Sequence, residues 1–161
     1  MQQSRLRAVF MRGGTSKAVM FHREDLPADQ ASWAPIFRAV MGSPDPYARQ
    51  LDGMGGGVSS VSKICIVGPS THPDAVVDYT FAQVSVKDDR VDFSAICGNM
   101  TSAIGPFAID EGLVPCPPDG HSAIDHGLRW EVYATDDLCN AALTAAGVEQ
   151  ISQSFVVNFE V

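Results

Sequence analysis

The sequence predicts an α+β fold in which a curved, mainly antiparallel sheet wraps around one central helix. Strand-like apolar runs separated by turn residues fill the middle of the chain, as expected for a β-meander. Directly after them, apolar residues from Met100 onward recur at helical spacing, and Gly112 provides a stop signal. Because a helix that is apolar on most sides must be covered on most sides, the sheet is expected to curve around it.

The bulk composition suits one domain and limits the classes of partner. The chain has 161 residues, 45% of them hydrophobic, which is enough for a core of its own. With 11 basic and 19 acidic residues the formal net charge is −8, which argues against nucleic acid as a partner. An acidic protein still binds an anion if its few cations are gathered, so the cations to follow are Arg12, Lys17 and Lys63.

Cysteine usage and hydropathy predict the compartment. The four cysteines show no CxxC spacing, and together with the four histidines they give no zinc pattern, so no metal is expected. The N-terminal residues do not resemble a signal peptide, and no apolar run is long enough to cross a bilayer. These features predict a cytoplasmic protein in a reducing environment, without a membrane partner.

Two strands are predicted near the N-terminus, at residues 5–11 and 17–22. The tight connection between them contains two glycines and two hydroxyls, flanked by cations: Arg12, Gly13, Gly14, Thr15, Ser16 and Lys17. Glycine permits positive φ and lets backbone N–H groups approach a ligand. An ordinary glycine hairpin is the alternative, although such a turn requires neither the cations nor the hydroxyls.

A helix is predicted at residues 28–41, with apolar residues at the spacing of one buried face and a packing role only. The glycine-rich loop that follows, residues 51–63, lacks the spacing of a nucleotide-binding P-loop. Its glycines and serines instead indicate a nest of N–H groups that binds a small anion. A plain flexible loop is the alternative interpretation.

The remaining elements are predicted from short apolar runs. Strands are expected at residues 64–67, 75–87, 90–96, 128–134 and 154–161. A short helix is expected at residues 138–146, where alanines precede a glycine. The strand at 90–96 is the one that leads into the central helix.

Cys97 lies between this strand and the apolar helix. A cysteine at the start of a helix is in the positive end of the helix dipole, which favours the thiolate. Free backbone N–H groups at the same place bind anions, and Asn99 or Thr101 is expected to cap the helix. Together these features suit chemistry on a carboxylate. The alternative is a small buried hydrophobe, which is the usual role of a lone cysteine.

Three segments together resemble the PrpF family of isomerases. They are residues 11–17 (MRGGTSK), 55–63 (GGGVSSVSK) and 97–108 (CGNMTSAIGPFA), and the resemblance extends from about residue 5 to residue 114. This family includes 2-methylaconitate isomerase, aconitate Δ-isomerase and 4-oxalomesaconate tautomerase, which act on small polycarboxylic acids. It has the diaminopimelate-epimerase fold, with two similar domains, each a curved sheet around a central helix, and the active site between them.

The resemblance implies a site and a reaction. Lys63 and Cys97 match the proposed acid–base pair of the family, which shifts a double bond or changes its geometry by proton transfer without a cofactor. The expected ligand is a small polycarboxylate. The residues expected to bind it are Arg12, Gly13, Gly14, Thr15, Ser16, Lys17, Gly56, Gly57, Ser59, Ser60, Gly98, Asn99, Met100 and Thr101.

The resemblance also implies a domain organisation. Residues 1–136 match a first domain, residues 137–161 are expected to be a divergent or truncated tail, and the second domain of the family is expected to be absent. Apolar surface that this second domain would cover is then exposed, so self-association into a homo-oligomer is predicted. Two alternatives stay open: an amino-acid racemase or epimerase of the same fold, and a non-catalytic domain.

Overall fold

A six-stranded mixed sheet with a helix on each face is the framework of the protein. The computed structural model describes residues 4–73 and 75–115, and beyond them the backbone of three strands, 123–126, 130–133 and 156–160. The elements in chain order are β1 (Arg7–Gly13), β2 (Ser16–His22), α1 (Trp33–Met41), β3 (Lys63–Pro69), β4 (Val77–Val84), β5 (Val91–Asp92), α2 (Gly98–Asp110), β6 (Ala123–His126), β7 (Trp130–Tyr133) and β8 (Val156–Glu160).

The strand order explains where the site residues lie. The large sheet has the order β5-β4-β3-β2-β1-β8, and β6 pairs with β7 in a separate two-stranded sheet. β2 and β3 are parallel, whereas the other neighbours in the large sheet are antiparallel. Parallel neighbours need a long crossover connection, which here contains α1 and the glycine-rich loop. As a result Lys63, which begins β3, lies at the same end of the sheet as the β1–β2 turn.

Each face of the sheet has its own apolar core, because alternate residues of a strand point to opposite faces. On one face α1 packs on a cluster that includes Val19, Phe21, Ile64, Ile66, Trp33 and Phe37. On the other face α2 packs on a cluster that includes Val9, Met11, Met20, Cys65, Val67, Ile104 and Phe107. We call the surface covered by α2 the α2 face and the opposite surface the α1 face.

The predicted helices are confirmed with shifted boundaries. α2 begins directly after Cys97, and Gly112 follows it with φ +71, as expected of a helix stop. The helix predicted from residue 28 begins instead at Trp33, after a 3₁₀ turn at Gln30–Ser32. Within the part of the chain that the structure describes, no helix is long and apolar enough to cross a membrane.

The structure describes only some of the elements predicted for the C-terminal part of the chain. β7 and β8 confirm the centres of the strands predicted at 128–134 and 154–161. β8 pairs with β1 in the large sheet, so the tail contributes a strand beside the first element of the chain. The helix predicted at 138–146 lies outside the described residues.

The strand predicted at 90–96 is wrong beyond its first residues. Only two residues pair with β4, because the Asp92 carboxylate then accepts hydrogen bonds from the Ser94 backbone N–H at 2.8 Å and hydroxyl at 2.6 Å. Phe93 packs instead against the ring of Trp33, with the two ring centres 6.4 Å apart. Phe93, which fits the apolar pattern of the predicted strand, therefore belongs to the core between the sheet and α1.

Candidate active site

The β1–β2 turn packs against the first turn of α2, and this contact brings two of the three motifs together. Asn99 Nδ2 donates hydrogen bonds to Thr15 Oγ1 at 3.0 Å and to Ser16 Oγ at 3.4 Å. A Cβ on Gly13 would collide with the Asn99 carbonyl oxygen, and one on Gly14 would lie 2.6 Å from Asn99 Oδ1. Gly14 also has φ +50, a conformation that favours glycine. The two glycines therefore make room for the helix.

Cys97 occupies the N-cap position of α2 and is half-buried beside the hairpin. Its Sγ lies 4.0 Å from Ser16 Oγ. Thr101 donates to the Cys97 carbonyl oxygen from both its backbone N–H and its hydroxyl, each at 2.9 Å. The prediction that Asn99 or Thr101 caps the helix is therefore wrong, because both lie inside it and the Asn99 side chain contacts the hairpin.

The first turn of α2 presents backbone donors next to Cys97. Gly98, Asn99 and Met100 belong to this turn, where N–H groups have no acceptor within the helix. Gly98 and Asn99 are exposed, whereas the side chains of Met100 and Thr101 are buried in the core. A carboxylate that approaches Cys97 would therefore meet donors from the backbone of this turn rather than from those two side chains.

Lys63 begins β3, and the residue is buried, with 8% of its surface exposed. Its Nζ donates a hydrogen bond to Gln83 Oε1 at 2.8 Å and lies 4.9 Å from the centre of the Phe81 ring. None of the ion pairs found within residues 4–73 and 75–115 includes Lys63. Among the residues that the structure describes, the amine therefore has an amide oxygen and a ring face as its neighbours and forms no ion pair with a carboxylate.

Lys63 and Cys97 both lie near the same buried thiol, Cys65. Cys65 follows Lys63 on the α2 face by one strand period, and Cys97 packs on the cluster that contains Cys65. Burial raises the pKa of the Cys65 thiol strongly, while nearby Cys97 raises it further and nearby Lys63 lowers it. Cys65 is thus held as a neutral thiol, and the groups suited to exchange protons with a ligand are Lys63 and half-buried Cys97.

The glycine-rich loop has a defined shape set by a buried side chain. Gln50, which is 1% exposed, donates through Nε2 to Ser43 Oγ and to Ser62 Oγ, both at 2.8 Å. Its Oε1 accepts a hydrogen bond from the Gly57 N–H at 2.9 Å, and the Gly55 N–H donates to the end of α1. These bonds argue against a plain flexible loop. They also remove the N–H groups of both glycines from the predicted anion nest.

The serine part of the loop borders Lys63. A 3₁₀ turn follows the glycines, and the carbonyl oxygens of Ser59 and Ser62 accept hydrogen bonds from Gln83 Nε2 at 3.0 and 2.8 Å. The same amide contacts the Lys63 amine through its oxygen. One glutamine side chain therefore joins the loop to the predicted proton-transfer residue.

The remaining predicted binding residues are divided between the two faces. Arg12 and Lys17 pair across the hairpin, and the pleat places both on the α1 face, whereas Ser16 is on the α2 face. Both cations are exposed, and Arg12 Nε donates to a backbone carbonyl of the turn at 2.9 Å. Ser60 lies in the 3₁₀ turn near Lys63, and Gly56 packs against that turn. The hairpin cations are thus not gathered with Lys63.

Gln83 and Gln50 are site residues that sequence reasoning missed. Gln83 follows Val77, Tyr79 and Phe81 at alternate positions of β4, so it is a polar residue on an otherwise apolar face. That break in the alternation is a usable signal in the sequence. Gln50 gives no such signal, because a single glutamine in a polar loop looks solvent-exposed.

The groups on the α2 face can transfer a proton and bind an anion. Among residues 4–73 and 75–115, no three His, Cys, Asp or Glu side chains lie close enough together to hold a metal ion. The α2 face supplies instead an amine, a thiol and backbone donors, which are the groups needed to move a proton and stabilise an anion. That the reaction needs no cofactor stays a prediction.

A family model and several relatives identify the chain's family. The model described as PrpF protein matches residues 3–122. The chain belongs to the PrpF family. One PrpF relative, 3-methylitaconate isomerase of Eubacterium barkeri, is 52% identical over 112 residues, which cover 70% of this chain and 29% of the relative. The 2-methyl-aconitate isomerase of Cupriavidus necator is 46% identical over 133 residues, or 80% of this chain and 34% of the relative.

Two further PrpF comparisons agree. The 4-oxalomesaconate tautomerase of Pseudomonas putida is 50% identical over 114 residues, 71% of this chain and 31% of the relative. The crystal structure of methylitaconate-delta-isomerase matches with a TM-score of 0.71 and 47% identity, over 77% of this chain and 31% of that chain. The predicted family and the mixed α+β class are thereby confirmed. The chain spans about a third of the length of the PrpF relatives that it matches.

Proposed function

We propose that this chain contributes the acid–base residues of a PrpF-type isomerase that acts on small polycarboxylic acids. The relatives are named isomerases or tautomerases of methylitaconate, methylaconitate and oxalomesaconate, and each shares about half of its matched residues with this chain. We also propose that residues 1–136 form a diaminopimelate-epimerase-like domain, and that sequence of the kind that the longer relatives carry completes the site.

The observation that carries the proposal is the placement of Lys63 and Cys97 near Cys65 on the α2 face. One of the two groups removes a proton from a carbon next to a carboxylate, and the negative charge spreads over the conjugated acid. The other group delivers a proton at a second carbon, which gives a 1,3-allylic shift or a cis–trans change. The base ends protonated and the acid deprotonated, and exchange with solvent restores both.

The charge that develops on the substrate needs fixed donors. We assign this role to the N–H groups in the first turn of α2, next to Cys97, together with the hydroxyl of Ser16. The serine turn after the glycines borders the Lys63 side of the same face. Arg12 and Lys17, which face the other way, are assigned the longer-range attraction of an anion to an acidic protein.

The test is proton NMR in D2O of the chain with cis-aconitate, trans-aconitate and 2-methylaconitate. Deuterium incorporation or conversion of one of these acids is the expected result. Lys63→Ala and Cys97→Ser are each expected to lower its rate by about 100-fold or more, because each removes a proton-transfer group. Lys87→Ala is the matched control, since this lysine is exposed in the turn after β4, and it should retain the rate.

Each outcome decides one part of the proposal. Unchanged turnover in both variants would overturn the assignment of Lys63 and Cys97. If the chain alone is silent, repeating the measurement with the part of a relative that this chain does not match fused to it separates an incomplete site from a wrong substrate class. Exchange of an amino-acid α-proton, with no polycarboxylate turnover, would favour the racemase alternative.

A further inference from the structure

The Gln83 side chain is fixed by three hydrogen bonds at once. Its Nε2 donates to the carbonyl oxygens of Ser59 and Ser62 at 3.0 and 2.8 Å. Its Oε1 accepts from Lys63 Nζ at 2.8 Å. Both amide hydrogens and the amide oxygen therefore have partners, and each partner belongs to a different part of the glycine-rich loop or to the strand after it.

These partners allow only one orientation of the amide. If the amide were rotated by half a turn, its oxygen would face two carbonyl oxygens and its NH2 group would face the donating amine of Lys63. The two backbone carbonyls thus present the oxygen of Gln83 to Lys63. The position of the amine follows from the position of the loop.

The acceptor that Gln83 offers carries no charge. A carboxylate at this distance would pair with the ammonium form of Lys63 and favour that form. The other neighbour of the amine, the Phe81 ring, is also uncharged, and the described ion pairs do not include Lys63. A glutamine therefore orients the amine without placing a negative charge beside it.

We propose that Gln83 is a positioning residue for Lys63, whose neutral amide aims the amine at the substrate without adding a negative charge beside it. The inference rests on the proposed acid–base function, in which Lys63 must change its protonation state during each cycle. It adds a residue outside the three motifs, and it links the glycine-rich loop to the reaction through the carbonyl oxygens of Ser59 and Ser62.

The first test is an NMR titration of the chain labelled with 13C at lysine Cε, whose chemical shift follows protonation of the amine. The Lys63 signal is the one that is missing from Lys63→Arg. In Gln83→Glu a carboxylate replaces the amide, and the midpoint of the Lys63 titration is expected to rise by roughly one to three pH units. Gln30→Glu makes the same change at an exposed glutamine and should leave the midpoint where it is. An unmoved midpoint in Gln83→Glu would overturn the proposal.

A second variant tests orientation and covers the case in which Gln83→Glu does not fold. Gln83→Met keeps the length of the side chain but removes the amide. The nuclear Overhauser contact between the Lys63 Cε protons and the Phe81 ring is expected to be lost, and its persistence would contradict the positioning role. In the active enzyme the same variant is expected to lower kcat by about 10-fold or more with little change in KM.

The two NMR readouts do not depend on turnover. Failure of the proposed function would appear as absence of deuterium exchange into every acid, even in the fused full-length protein. Failure of the Gln83 inference would appear as unchanged Lys63 signals in either Gln83 variant, whether or not the acids react. The two results are therefore separable.

Discussion

At the scale of single residues, the lack of a side chain at Gly13 and Gly14 allows the β1–β2 hairpin to pack closely against α2. Gly13 and Gly14 lie against Asn99 so closely that a methyl group at position 13 would collide with a carbonyl oxygen. Gly98, the first residue of α2, has open space where its Cβ would be. The distance between Ser16 and Cys97 therefore depends on glycine at the hairpin and not on glycine at the helix.

Gly13→Ala is expected to lower the free energy of unfolding by about 1–3 kcal/mol, because the added methyl group must push α2 away. Gly98→Ala is the matched control. It should leave the free energy of unfolding unchanged or raise it by up to about 1 kcal/mol, since alanine favours the helix more than glycine does. Urea denaturation measures both variants, and equal effects would contradict the close contact between hairpin and helix.

Residue types alone could not show which residues of the hairpin motif lie on which face of the sheet. Lys17 and Ser16 are neighbours in the sequence and look like parts of one binding loop, but the pleat sends them to opposite faces. Lys63 and Cys97 were predicted because their motifs resemble the family. Gln83 was missed although its place in the alternation of β4 marks it, because one polar residue near the end of a strand also fits a solvent-facing position.

At the scale of elements, the connection between α1 and β3 is organised by two polar side chains. The backbone N–H groups of Tyr47, Arg49 and Gln50 donate to the Asp45 carboxylate and hold the pKa of Asp45 below its ordinary value. Gln50 then bonds to Ser43, Gly57 and Ser62 from a buried position. The loop that borders Lys63 therefore takes its shape from one carboxylate and one amide.

Gln50→Ala is expected to lower the free energy of unfolding by about 3 kcal/mol, because three hydrogen bonds of a buried amide are lost. Gln30→Ala removes an exposed glutamine and should change stability by less than about 0.5 kcal/mol. Hydrogen exchange provides a local readout, since the Gly57 amide should lose its protection in Gln50→Ala. Retained protection at Gly57 would show that the loop does not depend on Gln50.

The elements that the sequence predicted well are those with a long apolar period. α2 is buried on most of its surface, so its pattern dominates any local preference. The strand predicted at 90–96 is too long because a local hydrogen bond replaces the pairing with β4. The Asp92 carboxylate accepts hydrogen bonds from Ser94, and this turns the chain away from β4. The apolar pattern put Phe93 in this strand, whereas its ring packs against Trp33 under α1.

At the scale of the whole molecule, α2 is fixed to the first hairpin at both of its ends. At its start Asn99 bonds to Thr15 at 3.0 Å. At its other end Glu111 Oε2 lies 2.9 Å from His22 Nε2, in the last position of β2, and the His22 ring lies 5.2 Å from the ring of Phe107. The helix that carries Cys97 therefore has a set position along the sheet.

Alkaline pH is expected to weaken the fold through Cys65. Burial raises the pKa of this thiol, so it stays protonated in the folded chain while it ionises near about pH 8.5 in the unfolded chain. Above that pH the unfolded chain binds fewer protons, and the free energy of unfolding falls by about 1.4 kcal/mol per pH unit. Below about pH 8.5 the thiol is protonated in both the folded and the unfolded chain, so Cys65 does not make the free energy of unfolding depend on pH there.

Denaturation under reducing conditions, from about pH 7 to pH 10, checks this expectation against Cys65→Ala. The variant starts from a lower free energy of unfolding because a core group is missing, but its decline with pH should be shallower. The quantity compared is the slope of the free energy of unfolding against pH, not its value at pH 7. The lost packing lowers that value in the variant but does not change the slope. Parallel curves would mean that the thiol ionises equally in both states.

The parallel pair β2–β3 is expected to form later in folding than the neighbouring hairpins. The hairpins β1–β2 and β3–β4 close short connections, but β2 can pair with β3 only by bridging residues 23–62. Ser16 belongs to the first hairpin and Lys63 to the second. The Ser16 hydroxyl and the Lys63 amine therefore come together only when the two hairpins join, so a pairing that must close a long connection also assembles part of the candidate site.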